Sequence, residues 1–177
     1  MTELRVYFME ALGNVPNAIY LASFVILCIG IVTFWCWKGL KGGMCYSALL
    51  MLVEWVILVF CTCIIFRDSS AAYRVNLIPL SSYFDYGENS YLMEKTALNI
   101  LNMALFIPVG LLVGCGLRNM TWRRVLTIGV VLSVSLELLQ LVCKKGLCEF
   151  DDVVHNGVGC MIGYALYELI SKIGKYV

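Results

Sequence analysis

The 177-residue chain is poor in charge: only 14% of its residues are Asp, Glu, Lys or Arg, whereas 61% are hydrophobic. A soluble domain of ordinary composition has about 25% charged residues. The mean hydropathy of +0.85 is strongly positive, and a soluble core of this size has no use for that much apolar surface. The composition therefore predicts a polytopic membrane protein. The net charge of +1 and the lack of any zinc-finger-like motif argue against binding of nucleic acid.

Several common signatures are also missing. The N-terminus has Glu3 and Glu10 where a secretory signal peptide has a basic region, so we expect the first apolar run to stay as an anchor. The nine cysteines are odd in number and irregularly spaced, which predicts no disulfide framework. Cys143 and Cys148 flank a polar loop, and the sequence does not decide whether they pair. No HExxH motif, nucleophile elbow or phosphate-cradling glycine loop is present, and no cofactor is predicted.

Five apolar windows are long enough to cross a bilayer, which takes roughly 20 residues. They predict an all-α fold, a polytopic membrane helix bundle of about five transmembrane helices. The first helix belongs to an N-terminal segment, 1–43, and the other four to a membrane domain, 44–177, with a long connection at 67–96. The windows are 17–37, 44–66, 97–117, 125–143 and about 152–170.

The distribution of Lys and Arg predicts the orientation of the bundle. One side has short loops with seven basic residues and one nearby acid, whereas the other has six basic residues mixed with nine acids. We expect the short, basic loops and the C-terminus in the cytoplasm. The N-terminus and residues 67–96 are then outside.

Polar residues interrupt the apolar runs in four places, all near the predicted outer side. Asn99 and Asn102 share one face of the third window, and Glu137 and Gln140 share one face of the fourth. A carboxylate one to two turns inside an apolar helix costs a few kcal/mol, so Glu137 is hard to explain by packing alone. We interpret the four places as one outward-facing polar pocket. Its predicted lining is Arg74, Asn76, Asn99, Asn102, Glu137, Gln140, Asp152 and Asn156.

Each polar group also has an ordinary structural explanation. Asparagines in membrane helices often only join helices through hydrogen bonds, and Asp151 is placed to cap the fifth helix. Asp151 and His155 have the spacing of helical metal ligands, but two ligands do not define a site, and no metal is predicted. Glu137 and Asp152 are candidates for a general acid–base pair. Residue types alone leave open whether the chain is an enzyme.

Four motifs, in this order and spacing, resemble the VanZ-like family of small bacterial membrane proteins: NLIPL at 76–80, NMALFIPVG at 102–110, SVSLELLQ at 133–140 and CEFDDVVHNGVG at 148–159. The resemblance covers roughly residues 44–170. The residues at the family's motif positions are Asn76, Pro79, Asn102, Pro108, Gly110, Glu137, Gln140, Asp152, Asn156 and Gly159.

The chain departs from the family pattern at a few positions. Leu80 replaces the usual Phe, and Cys148 and Glu149 stand where the family tends to have Phe and Asp. His155 occupies a position that is usually apolar, so no family role is carried over to it. An Arg often found before the acidic motif is missing, with Lys144 or Lys145 as its expected substitute.

The resemblance implies a protein of the bacterial cell membrane that is associated with low-level resistance to the glycopeptide teicoplanin. We expect it to bind an amphiphile from the outer leaflet, either a lipid-linked cell-wall precursor or a lipoglycopeptide, with membrane lipids as further partners. One alternative is a membrane-embedded hydrolase or transferase that uses Glu137 and Asp152 on a lipid-linked substrate. A small transporter is less favoured, because no inverted repeat is visible. The sequence does not give the oligomeric state.

Overall fold

The computed structural model describes residues 16–65, 67, 72–84 and 89–173. Helices make up most of these residues, and two three-residue strands lie in the connections. The helices are α1 (Asn17–Phe60), extended by a π-helical turn (Cys61–Ile65), α2 (Ser81–Phe84), α3 (Asn89–Gly116), α4 (Trp122–Val142) and α5 (Phe150–Ile173). The strands are β1 (Arg74–Asn76) and β2 (Leu147–Glu149).

Helix α1 contains a reversal of chain direction. Its backbone is helical over 44 residues, and a straight helix rising about 1.5 Å per residue would hold Ser23 and Glu54 about 46 Å apart. Instead, the Ser23 hydroxyl donates a hydrogen bond to the Glu54 carboxylate, and Trp35 Nε1 donates to Ser47 Oγ at 3.1 Å. The two arms of α1 are therefore antiparallel. The chain turns between Trp35 and Ser47, where the sequence predicts the loop between the first two windows.

Among the residues that the structure describes, three helical segments are long and apolar enough to cross a membrane: Gly43–Ile65, Lys95–Gly116 and Trp122–Val142. The first arm of α1 adds a shorter apolar stretch, Ala18–Val32. The predicted all-α polytopic membrane bundle is confirmed. Helix ends differ from the predicted windows: α3 begins at Asn89 rather than at 97. A hydropathy window locates the apolar part of a helix, and a helix can continue beyond that part.

Helices α3 and α5 run in the same direction and touch through their backbones. A Cβ atom placed on Gly159 would lie 2.1 Å from the Met103 carbonyl oxygen, and one on Gly163 would lie 1.9 Å from that of Ile107. Contact this close requires glycine, because any side chain would overlap the facing helix. Gly110 makes the same kind of contact from the α3 side. The pairing fixes the register of α3 against α5 and therefore the relative positions of their polar residues.

The core lies where α3, α4 and α5 meet. Its buried hydrophobic side chains come from all three helices: Phe106, Val109, Val113, Val125, Cys160 and Tyr164. Large apolar side chains on the outer faces are exposed, for example Val131 and Leu138 on α4 and Ile162 on α5. This distribution, apolar inside and outside, is typical of helices surrounded by lipid.

The close contact between α3 and α5 predicts unequal effects of two small substitutions on the same helix. Gly163→Ala places a methyl group against the Ile107 backbone and is expected to destabilise the fold by about 1–3 kcal/mol, the typical cost of overpacking. Gly157→Ala is the control, because its methyl group would meet Leu126 Cδ1 at an ordinary 3.5 Å. Thermal unfolding in detergent compares the melting temperatures of the two variants. Equal melting temperatures for both variants would contradict the proposed register.

Candidate functional site

Polar side chains from four segments meet at one end of the bundle. Helix α4 ends where α3 and α5 begin, and β1 and β2 lie beside this end. The two strands pair in parallel, with Arg74 opposite Leu147 and Asn76 opposite Glu149. This pairing brings the NLIPL motif next to the start of α5, although about 70 residues separate the two in sequence.

Glu137 lies at the centre of this end and is 4% exposed. Its Oε2 atom accepts a hydrogen bond from the backbone N–H of Glu149 at 3.1 Å. Gln140, also buried, follows one turn later. In the amide orientation that satisfies both of its polar atoms, Gln140 donates to Glu137 Oε1 at 3.2 Å and accepts from Arg67 at 3.2 Å. The buried carboxylate is thus held by a backbone donor and by an amide that connects it to a guanidinium group.

Glu149 pairs with the cation of α3. Lys95 Nζ donates to its two carboxylate oxygens at 2.7 and 2.8 Å, and the two side chains are only 13% and 11% exposed. Asn76 Nδ2 lies 3.5 Å from Glu149 Oε1. Since Glu149 also supplies the N–H that binds Glu137, one residue of β2 joins α3, α4 and β1.

Asp152 completes the network on α5. Asn102 of α3 forms a hydrogen bond with its carboxyl group, and Glu149, Lys95 and Arg67 interact with it electrostatically. Glu137, Glu149 and Asp152 therefore share one environment with two cations. We call Arg67, Lys95, Asn102, Glu137, Gln140, Glu149 and Asp152 the charged network.

Asp151 lies in the first turn of α5 and also binds the NLIPL segment. It is 1% exposed, and its carboxylate accepts a hydrogen bond from the backbone N–H of Leu80 at 2.6 Å and from the Ser81 hydroxyl at 3.4 Å. Leu80 has a positive φ of 60°, a conformation that costs a non-glycine residue about 1–2 kcal/mol. Asp151 therefore attaches the NLIPL segment to α5 and holds it in a strained conformation.

His155 strengthens this attachment one turn along α5. Its Nε2 atom and the Tyr83 hydroxyl are hydrogen-bonded at 2.7 Å. Asp151 and His155 therefore both bind the segment 80–83. Within the described residues no three His, Cys, Asp or Glu side chains are placed so that they could hold one metal ion.

The other predicted pocket residues lie at the edge of the network. Arg74 is exposed in β1. Asn156 is buried one turn deeper, where its Nδ2 donates to Ser133 Oγ of α4 at 2.8 Å. Asn99 is buried with no partner for its Nδ2 atom among the described residues. The structure therefore brings Asn76, Asn102, Glu137, Gln140 and Asp152 together, and places Arg74, Asn99 and Asn156 around them.

Sequence reasoning missed Arg67, Lys95 and Glu149 as members of the network. Arg67 reaches it because Gly146 has a φ of +143° and no side chain: a Cβ there would lie 3.0 Å from the Arg67 guanidinium carbon. Lys145, one of the two lysines expected to substitute for a missing arginine, donates to the Arg67 backbone oxygen at 2.6 Å. The sequence signal that could have identified Arg67 is its position directly after the second apolar window.

The two cysteines beside the network are both free thiols. Cys143 is exposed and Cys148 is buried. Burial, together with the carboxylates of Glu137 and Asp152, raises the pKa of the Cys148 thiol. This thiol is therefore a poor nucleophile.

These features define a polytopic membrane protein with a buried charged network at one end of its bundle. The VanZ/LLP1 family matches residues 24–171, and the chain belongs to that family, as the four motifs predicted. Protein VanZ of Enterococcus faecium is 32% identical over 71 residues, which are 40% of this chain and 44% of that protein. The chain thus aligns with less than half of this relative. No solved structure matches.

The ion pair between Lys95 and Glu149 predicts a stability effect with an internal control. Lys95→Met leaves the Glu149 carboxylate buried without its cation and is expected to cost about 3–5 kcal/mol. Adding Glu149→Gln removes the uncompensated charge, so the double variant should recover part of this loss. Denaturant titrations in detergent measure the free energy of unfolding of the unmodified protein, of Lys95→Met and of the double variant. A double variant less stable than Lys95→Met would contradict this assignment of the pair.

Proposed function

We propose that this protein binds an amphiphile at the outer leaflet of the bacterial cell membrane, with the polar headgroup at the charged network and the apolar tail between helices. The observation that supports this most directly is that a polar site and an apolar site lie side by side. An open apolar groove begins at Phe150, which lies in sequence between Glu149 and the two aspartates of α5. The same short stretch of chain thus serves both a polar and an apolar partner.

The groove lies between α4 and α5 and has a volume of about 710 Å³, within the roughly 300–1,000 Å³ of small-molecule sites. From Phe150 to Ala165 it follows α5 for about 22 Å at 1.5 Å per residue. One leaflet of the hydrocarbon core is about 15 Å thick, so a lipid tail fits along it. Its lining is apolar: Leu126, Val130, Phe150, Val153, Val154, Gly157, Val158, Met161, Ile162 and Ala165.

The family association with teicoplanin narrows the proposed ligands. Teicoplanin-type lipoglycopeptides and lipid-linked cell-wall precursors both combine a large polar group with a lipid chain. A protein that holds either one at the outer leaflet would change how the antibiotic reaches its target. This proposal rests on the family membership and on the neighbouring polar and apolar sites.

An enzyme that uses Glu137 and Asp152 as acid and base is the second candidate. Both carboxyl groups belong to one buried network, which favours it. Both are also engaged, Glu137 by the Glu149 N–H and Asp152 by Asn102, which favours positioning of a headgroup over proton transfer. Release of a product from a lipid-linked substrate by the purified protein would decide for the enzyme.

Glu137→Gln tests the role of the ionisable group on α4. The change keeps an oxygen that can accept from the Glu149 N–H but removes the carboxyl group to which Gln140 bonds. We expect binding of a lipoglycopeptide to weaken at least about tenfold, or 1.4 kcal/mol, at normal expression, and resistance to fall in a susceptible host.

Ser135→Ala is the matched control on the same helix. Ser135 is exposed, and its hydroxyl donates to the backbone oxygen of Val131, one turn earlier in α4. This variant should behave as the unmodified protein does. Full binding and resistance in Glu137→Gln would reduce Glu137 to a structural link between helices.

We also propose the orientation that the charge distribution predicts, with the charged network outside and the C-terminus in the cytoplasm. A C-terminal reporter that is active only in an oxidising exterior should then give no signal, whereas the same reporter inserted after Tyr83 should be active. The reverse pattern would move the network to the inner leaflet and would contradict binding from outside.

A further inference from the structure

Four cations gather around the outer rim of the charged network, on segments far apart in sequence. Arg67 follows the π-helical turn, Arg74 is in β1, and Lys144 and Lys145 follow α4. We call these four residues the basic collar. One contact joins two of its members directly, and two more place the other members beside residues that adjoin the collar in sequence. Lys145 Nζ donates to the Arg67 backbone oxygen at 2.6 Å, Lys144 Nζ lies 4.7 Å from the centre of the Tyr73 ring, and the strand pairing places Arg74 opposite Leu147.

Arg67 also interacts with the carboxyl groups of Glu137 and Asp152, whereas Arg74, Lys144 and Lys145 form no ion pair within the described part of the chain. The ion pair found there is Lys95–Glu149, which lies within the charged network. Like charges placed together repel one another, and a patch of one sign raises the local concentration of ions of the other sign. The three cations of the collar that lack a carboxylate partner therefore favour binding of an anion.

Lys144 occupies a backbone position that favours glycine. Its φ is 55°, and Lys144 N–H and Lys145 N–H bond to Leu141 O and Gln140 O at 3.1 and 2.8 Å. This is the helix-end motif in which glycine is the usual residue. A lysine at the end of a helix is stabilised by the helix dipole, but the dipole of α4 does not account for Arg74, which comes from β1.

We propose that the basic collar recognises a phosphate or diphosphate ester at the end of the bound lipid. Phosphate oxygens accept hydrogen bonds from lysine and, in pairs, from arginine. The phosphate then lies at the collar, beside the charged network, while the tail lies along the α4–α5 groove. This inference rests on the proposed function and specifies the chemistry of the headgroup.

The experiment measures binding to the purified full chain in a neutral maltoside micelle. The probes are farnesyl diphosphate, farnesyl monophosphate, uncharged farnesol, dihexanoyl phosphatidylglycerol and inorganic pyrophosphate. We expect farnesyl diphosphate to bind at least tenfold more tightly than farnesol, and more weakly as salt rises. Inorganic pyrophosphate should bind least, because it has no tail. Equal binding of phosphatidylglycerol and the diphosphate supports the shared phosphate chemistry, whereas preference for the diphosphate identifies an isoprenoid source.

Arg74→Gln/Lys144→Gln is the test variant, because neither side chain is part of the charged network. It should lose at least tenfold in affinity for farnesyl diphosphate and keep its affinity for farnesol. Arg118→Gln/Arg123→Gln removes two exposed cations at the opposite end of the bundle and should change neither. Thermal unfolding of both variants checks that each is folded.

The outcomes separate the two proposals. Equal affinities for farnesol and farnesyl diphosphate would overturn the phosphate assignment and leave amphiphile binding in place. An unchanged affinity of Arg74→Gln/Lys144→Gln for farnesyl diphosphate would have the same consequence. Inorganic pyrophosphate that binds as tightly as farnesyl diphosphate would overturn the lipid source. An absence of binding by every probe with a tail would overturn the proposed function itself.

Discussion

The carboxylate of Glu137 is buried in an apolar helix, and the surrounding structure supplies the donors that it needs there. An uncompensated carboxylate at this depth costs a few kcal/mol. The backbone N–H of Glu149, the last residue of β2, donates to Glu137 Oε2 at 3.1 Å. Strand β2 is in turn held by β1, and the Glu149 side chain is held by Lys95. The short sheet and Lys95 of α3 therefore hold in place the residue that donates to Glu137.

The close contact between α3 and α5 makes this arrangement geometrically possible. Where two helices approach through glycine, the polar residues at their ends are brought within hydrogen-bond reach, as Asn102 and Asp152 are. The second connection, through Asp151 and His155 to the segment 80–83, closes the end of the bundle. Several polar groups in this region thus bond to one another, which a lipid surrounding favours, while the groove beside Phe150 stays apolar.

The sequence predicts the helices well and the partners of the polar groups poorly. Hydropathy locates the apolar runs, and the spacing of Glu137 and Gln140 correctly predicts one shared helix face. The strand pair is not predictable from periodicity, because three residues inside a polar connection show too little alternation. Lys95 and Arg67 were not assigned to the site because each lies at the end of an apolar run, where a cation is expected to face solvent. Asp151 shows the same difficulty: its position is typical of a cap, and only the fold shows its bond to Leu80.

The most direct test of amphiphile binding is photo-crosslinking with two forms of one lipid phosphate probe, one with a diazirine near the headgroup and one with a diazirine in the tail. Crosslinked peptides are mapped by mass spectrometry. The headgroup form should label residues 72–84 and 143–152, and the tail form should label residues 126–130 and 153–165 along the α4–α5 groove. Headgroup labelling at residues 117–124, at the opposite end of the bundle, or tail labelling spread evenly over all helices, would contradict the account.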